Sequence, residues 1–319
     1  EIMPSLVGSE MCIRDRCRAM QPNKTIEITG TQQTLIDLAQ LTKFRLSISV
    51  VISSLAGYFL AIDQADYFTL SLLVLGGYSM VGASNAFNQV FEIDLDRLML
   101  RTQNRPLPDG RMNPRSALFI GVALTLIGVT SLYIINLKTA FFASISIFLY
   151  ACLYTPLKQK TPLSVFVGAF PGAIPFMLGW VAATNEFGIE PGVLFMLQFF
   201  WQFPHFWAIG WLMHEQYEAA GFKMLPSGAR DQNTAFQIVF YTLWTVVISL
   251  IPAFKYTGAL YLSQNGAFLV LLLGGMFLYY AVKLMVSKTD KAARMLIRAS
   301  IVYITGIQLV YVIDKFLIQ

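Results

Sequence analysis

Charge is scarce in this chain. Only 13% of its 319 residues are Asp, Glu, Lys or Arg, where a soluble domain carries roughly a quarter. That leaves too little polar surface to clothe a water-soluble fold of this size. Disorder is excluded from the other side: 56% of the residues are hydrophobic, and disordered chains are poor in Leu, Ile, Val and Phe. Cysteine is short as well. Cys12, Cys17 and Cys152 are the full complement, and they build no disulfide framework, no zinc-type CxxC and no CxxCH. The short alternating segments of a transmembrane β-barrel are missing too. What the chain has instead is a series of apolar runs of about 20 residues, the length that crosses a ~30 Å hydrocarbon core as a helix. The expected class is all-α and polytopic.

The first residues stand apart. The stretch EIMPSLVGSEMCIRDR, residues 1–16, resembles translated sequencing-adapter read-through, and Met20 is the expected start. A signal peptide is not expected, because no basic region precedes a clean apolar core and a small-residue cleavage site. Residues 1–19 are therefore set outside the fold, and residues 20–45 read as an N-terminal arm. Within the arm, Gln32–Leu41 places Leu35, Ile36, Leu38 and Ala39 beside polar neighbours, the pattern of a short interfacial helix leading to Lys43 and Arg45. Residues 46–319 form one transmembrane domain. Nine spans are expected: Leu46–Ile62, Phe68–Phe91, Ser116–Ile135, Ala140–Tyr154, Leu163–Thr184, Gly192–Met213, Ala235–Phe254, Ala267–Ser287 and Leu296–Leu317. The connectors on the N-terminal side hold Lys43, Arg45, Arg97, Arg101, Arg105, Arg111, Arg115, Lys158, Lys160, Lys223, Arg230 and the basic run from Lys283 to Arg298, against Lys138, Lys255 and Lys315 on the other side. This asymmetry predicts a cytoplasmic N-terminus and a periplasmic C-terminus.

Polar groups at membrane depth are costly and mark candidate function. The second span ends in Asn88, Glu92 and Asp96, spaced i, i+4 and i+8, which drift only about 40° per step around a helix and share a face. One amide and two carboxylates on a stripe suit a hard cation such as Mg²⁺, which takes a few carboxylates, waters and substrate phosphates. Arg101 and Arg105 follow in RTQNRPLPDG, where Pro106 and Pro108 restrict the backbone and Gly110 permits a turn. Metal ligands beside arginines suited to bidentate phosphate contact describe a diphosphate site. The bland reading, acids balancing neighbouring arginines at a solvated helix end, is weaker because the two features adjoin. The loop from Tyr154 to Pro162 carries Lys158 and Lys160, which read equally as phosphate contacts or as orienting lysines. Span six ends in Glu215 and Glu218, three residues apart and able to share a face. Earlier in that span, WQFPHFW surrounds His205 with rings; it reads as a packed, kinked helix or as a wall facing a large planar acceptor.

These residues carry a resemblance. NAFNQVFEIDLDRLMLRTQNRPLPDG (Asn85–Gly110), YTPLKQKTPLSVFVGAFPGAIPFMLGW (Tyr154–Trp180), WQFPHFWAIGWLMHEQYEAAGFKMLP (Trp201–Pro226) and ASIVYITGIQLVYVIDK (Ala299–Lys315) resemble, in order, the protohaem IX farnesyltransferases of the UbiA-type prenyltransferase superfamily. The superfamily's NxxxDxxxD motif stands here as Asn88, Glu92 and Asp96. Two departures are visible: Gln216 occupies a position where relatives carry Asp before the Tyr, leaving Glu215 and Glu218 for the second motif, and Phe44 follows Lys43 where relatives often have Pro.

The resemblance implies a bundle of about nine transmembrane helices around a cavity open to the cytoplasmic face of a bacterial inner membrane. It implies farnesyl diphosphate as donor and haem b as acceptor, with Mg²⁺ held by Asn88, Glu92, Asp96 and Glu215. Arg101, Arg105 and Lys158 would join the ligand stripe in neutralising the leaving diphosphate. His205, Tyr154, Phe206, Trp207, Glu215 and Glu218 would contact substrate, and Phe203 would add to an aromatic wall. Membrane lipid and haem A synthase or terminal-oxidase assembly factors are the partners implied, with no nucleic acid. Two rival functions remain at this point. A related enzyme acting on 4-hydroxybenzoate or a naphthoate would share the metal site with a smaller acceptor pocket. A transporter would use the acids as an ion path, which their clustering at one membrane face beside arginines disfavours.

Overall fold

The computed structural model describes residues 30–318, all of whose regular elements are helical. The adapter-like stretch, Met20, Cys12 and Cys17 lie outside the described residues. The chain divides into two compact units, residues 1–36 and 37–319. Of the first, residues 30–36 are described and are helical. They open α1 (Gly30–Leu41). The second unit continues with α2 (Phe44–Ala61), α3 (Tyr67–Phe91), the short α4 (Ile93–Arg97), α5 (Pro114–Ile135) and α6 (Leu137–Leu157). After these come α7 (Ser164–Thr184), α8 (Ile189–Leu212), the short α9 (His214–Ala219), α10 (Gln232–Leu250), α11 (Gln264–Ser287) and α12 (Asp290–Ile318).

Among the described residues, eight helices are long and apolar enough to cross a membrane. The ninth expected span is α8, which is 24 residues long yet carries Gln198, Gln202, Pro204, His205 and three tryptophans along its length. Its polar groups are tolerated because α8 is packed against α7, α10 and α12, not against lipid. The outer surface has the opposite character. On α5, Phe119, Leu126 and Tyr133 are 74%, 65% and 61% exposed, an apolar stripe that water would penalise and acyl chains would not.

Neighbouring helices pack in a closed order. α2 touches α3 and α7, α3 packs on α5, α6 lies between α5 and α7, α8 joins α7 to α10 and α12, and α12 returns to α2. Close approach at one crossing depends on two glycines, as membrane helix packing requires when burial alone supplies no drive. A Cβ on Gly57 would lie 2.0 Å from Phe176 O, and one on Gly179 would lie 1.8 Å from Ser54 O; α2 and α7 therefore meet backbone to backbone. Helix starts are capped in the usual way by short oxygens: Asp66, Asn113, Asn136, Asp231 and Ser263 each accept from a backbone N–H of the first turn.

Two irregularities sit at the end of the bundle where α3 terminates. α6 widens into a π turn over Leu149–Tyr154 just before Pro156, which has no N–H to continue the α ladder. The segment expected to span Ala140–Tyr154 thus runs on to Leu157. The chain between α1 and α2 also turns, over Thr42 and Lys43. Gln89 Nε2 donates to the carbonyls of Gln40 and Leu41 at 3.1 and 2.7 Å, and Asn85 Nδ2 donates to that of Thr42 at 3.3 Å. Buried α3 amides therefore satisfy the carbonyls left over at the end of α1.

Candidate active site

Glu92 leaves the helical region, with φ −107 and ψ 16, so the single acidic helix expected from spacing is broken between α3 and α4. Register survives the break. Glu92 N donates to Asn88 O at 3.0 Å, and Asp96 N donates to Glu92 O at 2.7 Å, so Asn88, Glu92 and Asp96 still share one stripe. They are 2%, 5% and 1% exposed. Asp94, on the opposite side, has a side chain 91% exposed and pairs with Arg97.

Each stripe residue meets a partner from elsewhere in the chain. Asn88 Nδ2 donates to Thr155 Oγ1 at 3.3 Å, a hydroxyl presented by the irregular end of α6. Lys158 Nζ donates to Glu92 Oε1 at 2.9 Å, and Arg105 Nη1 donates to Asp96 Oδ2 at 2.7 Å. Lys158 is itself buried, lies 4.5 Å from the Tyr154 ring centroid and 5.7 Å from that of Phe222, and its carbonyl accepts from Lys223 N at 2.8 Å. An ammonium enclosed by a carboxylate and aromatic faces is held in position. Tyr154 reaches this place because Gly168 has no side chain: a Cβ there would stand 2.7 Å from the tyrosine ring.

The 101–112 loop is fastened at several points. Thr102 Oγ1 donates to Asp96 O at 2.8 Å, and Arg97 Nε donates to Pro108 O at 3.2 Å. Arg111 donates to Asp37 Oδ1 at 3.1 Å and to Asn104 O at 3.0 Å, and it also pairs with Asp109. Gly110 takes φ 79, the left-handed conformation that favours glycine. Arg105 is thereby carried to the stripe, while Arg101 is exposed.

Lys43, read from the sequence only as part of the basic inner face, lies within electrostatic range of the stripe. It adopts φ 47 and ψ 56, a left-handed conformation that costs a non-glycine residue ~1–2 kcal/mol. The position follows the end of α1, where glycine is the usual occupant. Its half-buried ammonium is pushed down to about 7 by burial, then by the charges of Arg105 and Lys158, with Glu92 and Asp96 opposing. Lys43 thus shares the electrostatic environment of the stripe. No local sequence signal marks it, because the charges around it come from other elements.

Other expected site residues lie elsewhere. Glu215 and Glu218 are exposed on α9, and Glu215 lies 3.8 Å from Arg230. Gln216, at the departure position, has a buried Oε1 with no hydrogen-bond partner among the described residues. A cavity of about 360 Å³ beside them is lined by Pro162, His214, Tyr217, Glu218, Phe222 and Lys223 among others, adjoining Lys158 through Phe222. His205 stacks on Trp201 with centroids 4.8 Å apart, and Phe206 meets it edge-on at 5.6 Å. Phe203 and Trp207 are buried in an aromatic cluster with Tyr241.

The donor chemistry fits a hard divalent cation. Among the described residues no three His, Cys, Asp or Glu side chains are grouped as a metal site, so any cation here relies on the amide oxygen of Asn88 with two carboxylates and exogenous oxygens. Glu92 and Asp96 each engage a basic side chain through one oxygen, which leaves the second oxygen of each, with Asn88 Oδ1, as ligand atoms of the kind Mg²⁺ prefers. Arg105 and Lys158 pair with those two carboxylates and Lys43 lies within electrostatic range of them, a concentration of bases that favours an anionic ligand.

Comparison with known proteins identifies the family. Residues 50–302 match the model of the UbiA prenyltransferase family. A protoheme IX farnesyltransferase of Christiangramia forsetii is 60% identical over 89% of this chain and 94% of its own length. One from Flavobacterium psychrophilum is 60% identical over 88% and 95%, and one from Cytophaga hutchinsonii is 41% identical over 86% and 96%. Among solved structures, a digeranylgeranylglyceryl phosphate synthase superposes with TM-score 0.74 at 17% identity, covering 88% of this chain and 98% of its own. A UbiA homolog from Archaeoglobus fulgidus bound to DMAPP and Mg²⁺ superposes with TM-score 0.62 at 15% identity, covering 86% and 99%. The chain is a membrane prenyltransferase and belongs to the UbiA prenyltransferase family, in its protoheme IX farnesyltransferase branch.

Proposed function

We propose that the chain transfers the farnesyl group of farnesyl diphosphate to haem b, giving haem O and diphosphate, at a site on the cytoplasmic face of a bacterial membrane. The observation that carries the donor half is the buried stripe of Asn88, Glu92 and Asp96, tied to Lys158 and Arg105. The acceptor half follows from the names of the 60% identical relatives.

In this reading Asn88, Glu92 and Asp96 hold Mg²⁺, which when bound neutralises the diphosphate oxygens. Arg105, Lys158 and Lys43 contact the same diphosphate, with Arg101 at the mouth, and stabilise the charge that grows as the allylic C–O bond breaks and its electron pair departs with the leaving group. Lys158 would exchange part of its bond to Glu92 for a phosphate oxygen, a small movement for a four-carbon stem. A haem vinyl group then donates its π electrons to the farnesyl carbon. Water adds to the resulting carbocation and loses a proton, leaving the hydroxyl of the product. Aromatic faces such as Tyr154 and those near His205 shield the cationic carbon from premature hydration. Glu215 and Glu218, exposed on α9, serve the mouth of the site in this scheme and not the buried ligand set.

Product analysis tests the reading. Purified protein in lipid nanodiscs receives farnesyl diphosphate, Mg²⁺ and either haem b or 4-hydroxybenzoate. A haem that gains the farnesyl and hydroxyl masses is the expected product. Prenylation of the phenolic acid with haem unchanged would replace the acceptor while keeping the metal site.

A further inference from the structure

Two rings of α8 converge on a single residue of α12. Trp201 Nε1 donates to the Ser300 carbonyl at 2.7 Å, and His205 Nδ1 lies 2.7 Å from Ser300 Oγ. Ser300 is completely buried. Its hydroxyl also lies 2.7 Å from Ile297 O, a carbonyl that can only accept from it. A hydroxyl whose proton is engaged can only accept from a further partner. If that proton goes to Ile297 O, the imidazole is the donor to Ser300 Oγ and carries its own proton on Nδ1.

That assignment leaves a lone pair on Nε2. This nitrogen has no hydrogen-bond partner among the described residues and is not one of the sealed, unsatisfied atoms of the interior. The ring is half-buried and held flat against Trp201 with an interplanar angle of 17°, so the open edge is fixed in direction. An imidazole with Nδ1–H tied to a protein acceptor and Nε2 free is the form that ligates a metal. His205 precedes the start of α9 by nine residues, which on a helix is about 14 Å of depth.

We propose that Ser300 is a positioning residue that locks His205 as an Nε2 ligand to the iron of the haem acceptor; this rests on the acceptor proposed above. The lone pair enters the iron's coordination sphere with no change of oxidation state and no proton released. Ser300 acts only by setting which nitrogen is free and where it points. The bare alternative is that the Ser300–His205–Trp201 contacts simply pack α8 on α12.

The test begins without haem. In ¹⁵N-histidine-labelled protein only two histidines are present, and loss of one signal set in His205→Ala assigns the other to His214. The His205 ring is expected in the Nδ1-protonated form in wild type and in Ser300→Thr, which keeps the hydroxyl, and released to the Nε2-protonated form in Ser300→Ala. On adding haem b, wild type and Ser300→Thr should show the optical and electron-paramagnetic signature of an imidazole-bound iron. His205→Ala should lack it. Ser300→Ala should bind haem ~10–100-fold more weakly, the usual consequence of losing the partner behind a ligating histidine, while farnesyl diphosphate affinity is unchanged in every variant. A wild-type ring protonated on Nε2, or a haem spectrum identical in wild type and His205→Ala, overturns the inference. Absence of farnesylated haem from wild-type turnover overturns the proposed acceptor instead; the ring's protonation is read in haem-free protein, so the two failures are separable.

Discussion

Replacing Asp96 by Asn separates the charge of the ligand stripe from its shape. The Asp96 side chain is 1% exposed and receives Arg105 at 2.7 Å. Asn retains an oxygen that accepts from Arg105, so the fold loses only the difference between a charged and a neutral hydrogen bond, ~1 kcal/mol. Chemistry loses more. A unit charge acting on another ~4 Å away at an effective dielectric of ~20 is worth ~4 kcal/mol, and at ~1.4 kcal/mol per decade that is about a thousandfold in turnover. Asp94→Asn, two residues along on the exposed side of the same short helix, is the control and should leave turnover within about twofold. The assay is formation of prenylated product with and without Mg²⁺, beside a melting curve in detergent. Asp96→Asn turning over within fivefold of wild type, or wild-type turnover that persists in excess chelator, would refute the reasoning.

Gly57→Ala and Gly179→Ala should each lower the melting temperature, because the added Cβ meets backbone oxygens at 2.0 and 1.8 Å and the helices must part at a cost of ~1–3 kcal/mol; Gly275→Ala, with nothing within 4 Å, should not. A topology reporter fused after Gly110 or after Ser227 should read cytoplasmic and one after Gln319 periplasmic, and a periplasmic signal at Gly110 would reverse the sidedness. The Asp66 carboxyl is held below the usual carboxylate range by Thr69 Oγ1 and the N–H groups of Phe68 and Thr69, and that of Asp231 by the Thr234 N–H and then by Ser227. Stability from such lowered groups is complete above their unfolded pKa and disappears as pH falls through the lower folded value. Acidification should therefore depress the melting temperature of wild type more than that of an Asp66→Asn, Asp231→Asn double variant, and parallel curves for the two would refute this.

The amino-acid sequence by itself determined that the protein spans a membrane as helices and which residues form the acidic stripe. A long apolar run and an i, i+4, i+8 spacing are local properties, and each is legible without knowing what lies across from it. The same locality explains the errors. Spacing alone extended one helix through Glu92, where the chain breaks but bridges the break with hydrogen bonds, and hydropathy ended α6 short of Pro156. Composition could not separate Lys158 from an orienting lysine, because its role depends on Glu92, 66 positions away, and on two aromatic rings. Lys43 was hidden for the same reason, its lowered pKa arising from burial and from charges on other elements. The contact of His205 Nδ1 with Ser300 Oγ joins residues 95 positions apart. Tertiary structure decided these points because a buried charge or ring nitrogen takes its state from whichever groups surround it in three dimensions, and chain order does not encode that neighbourhood.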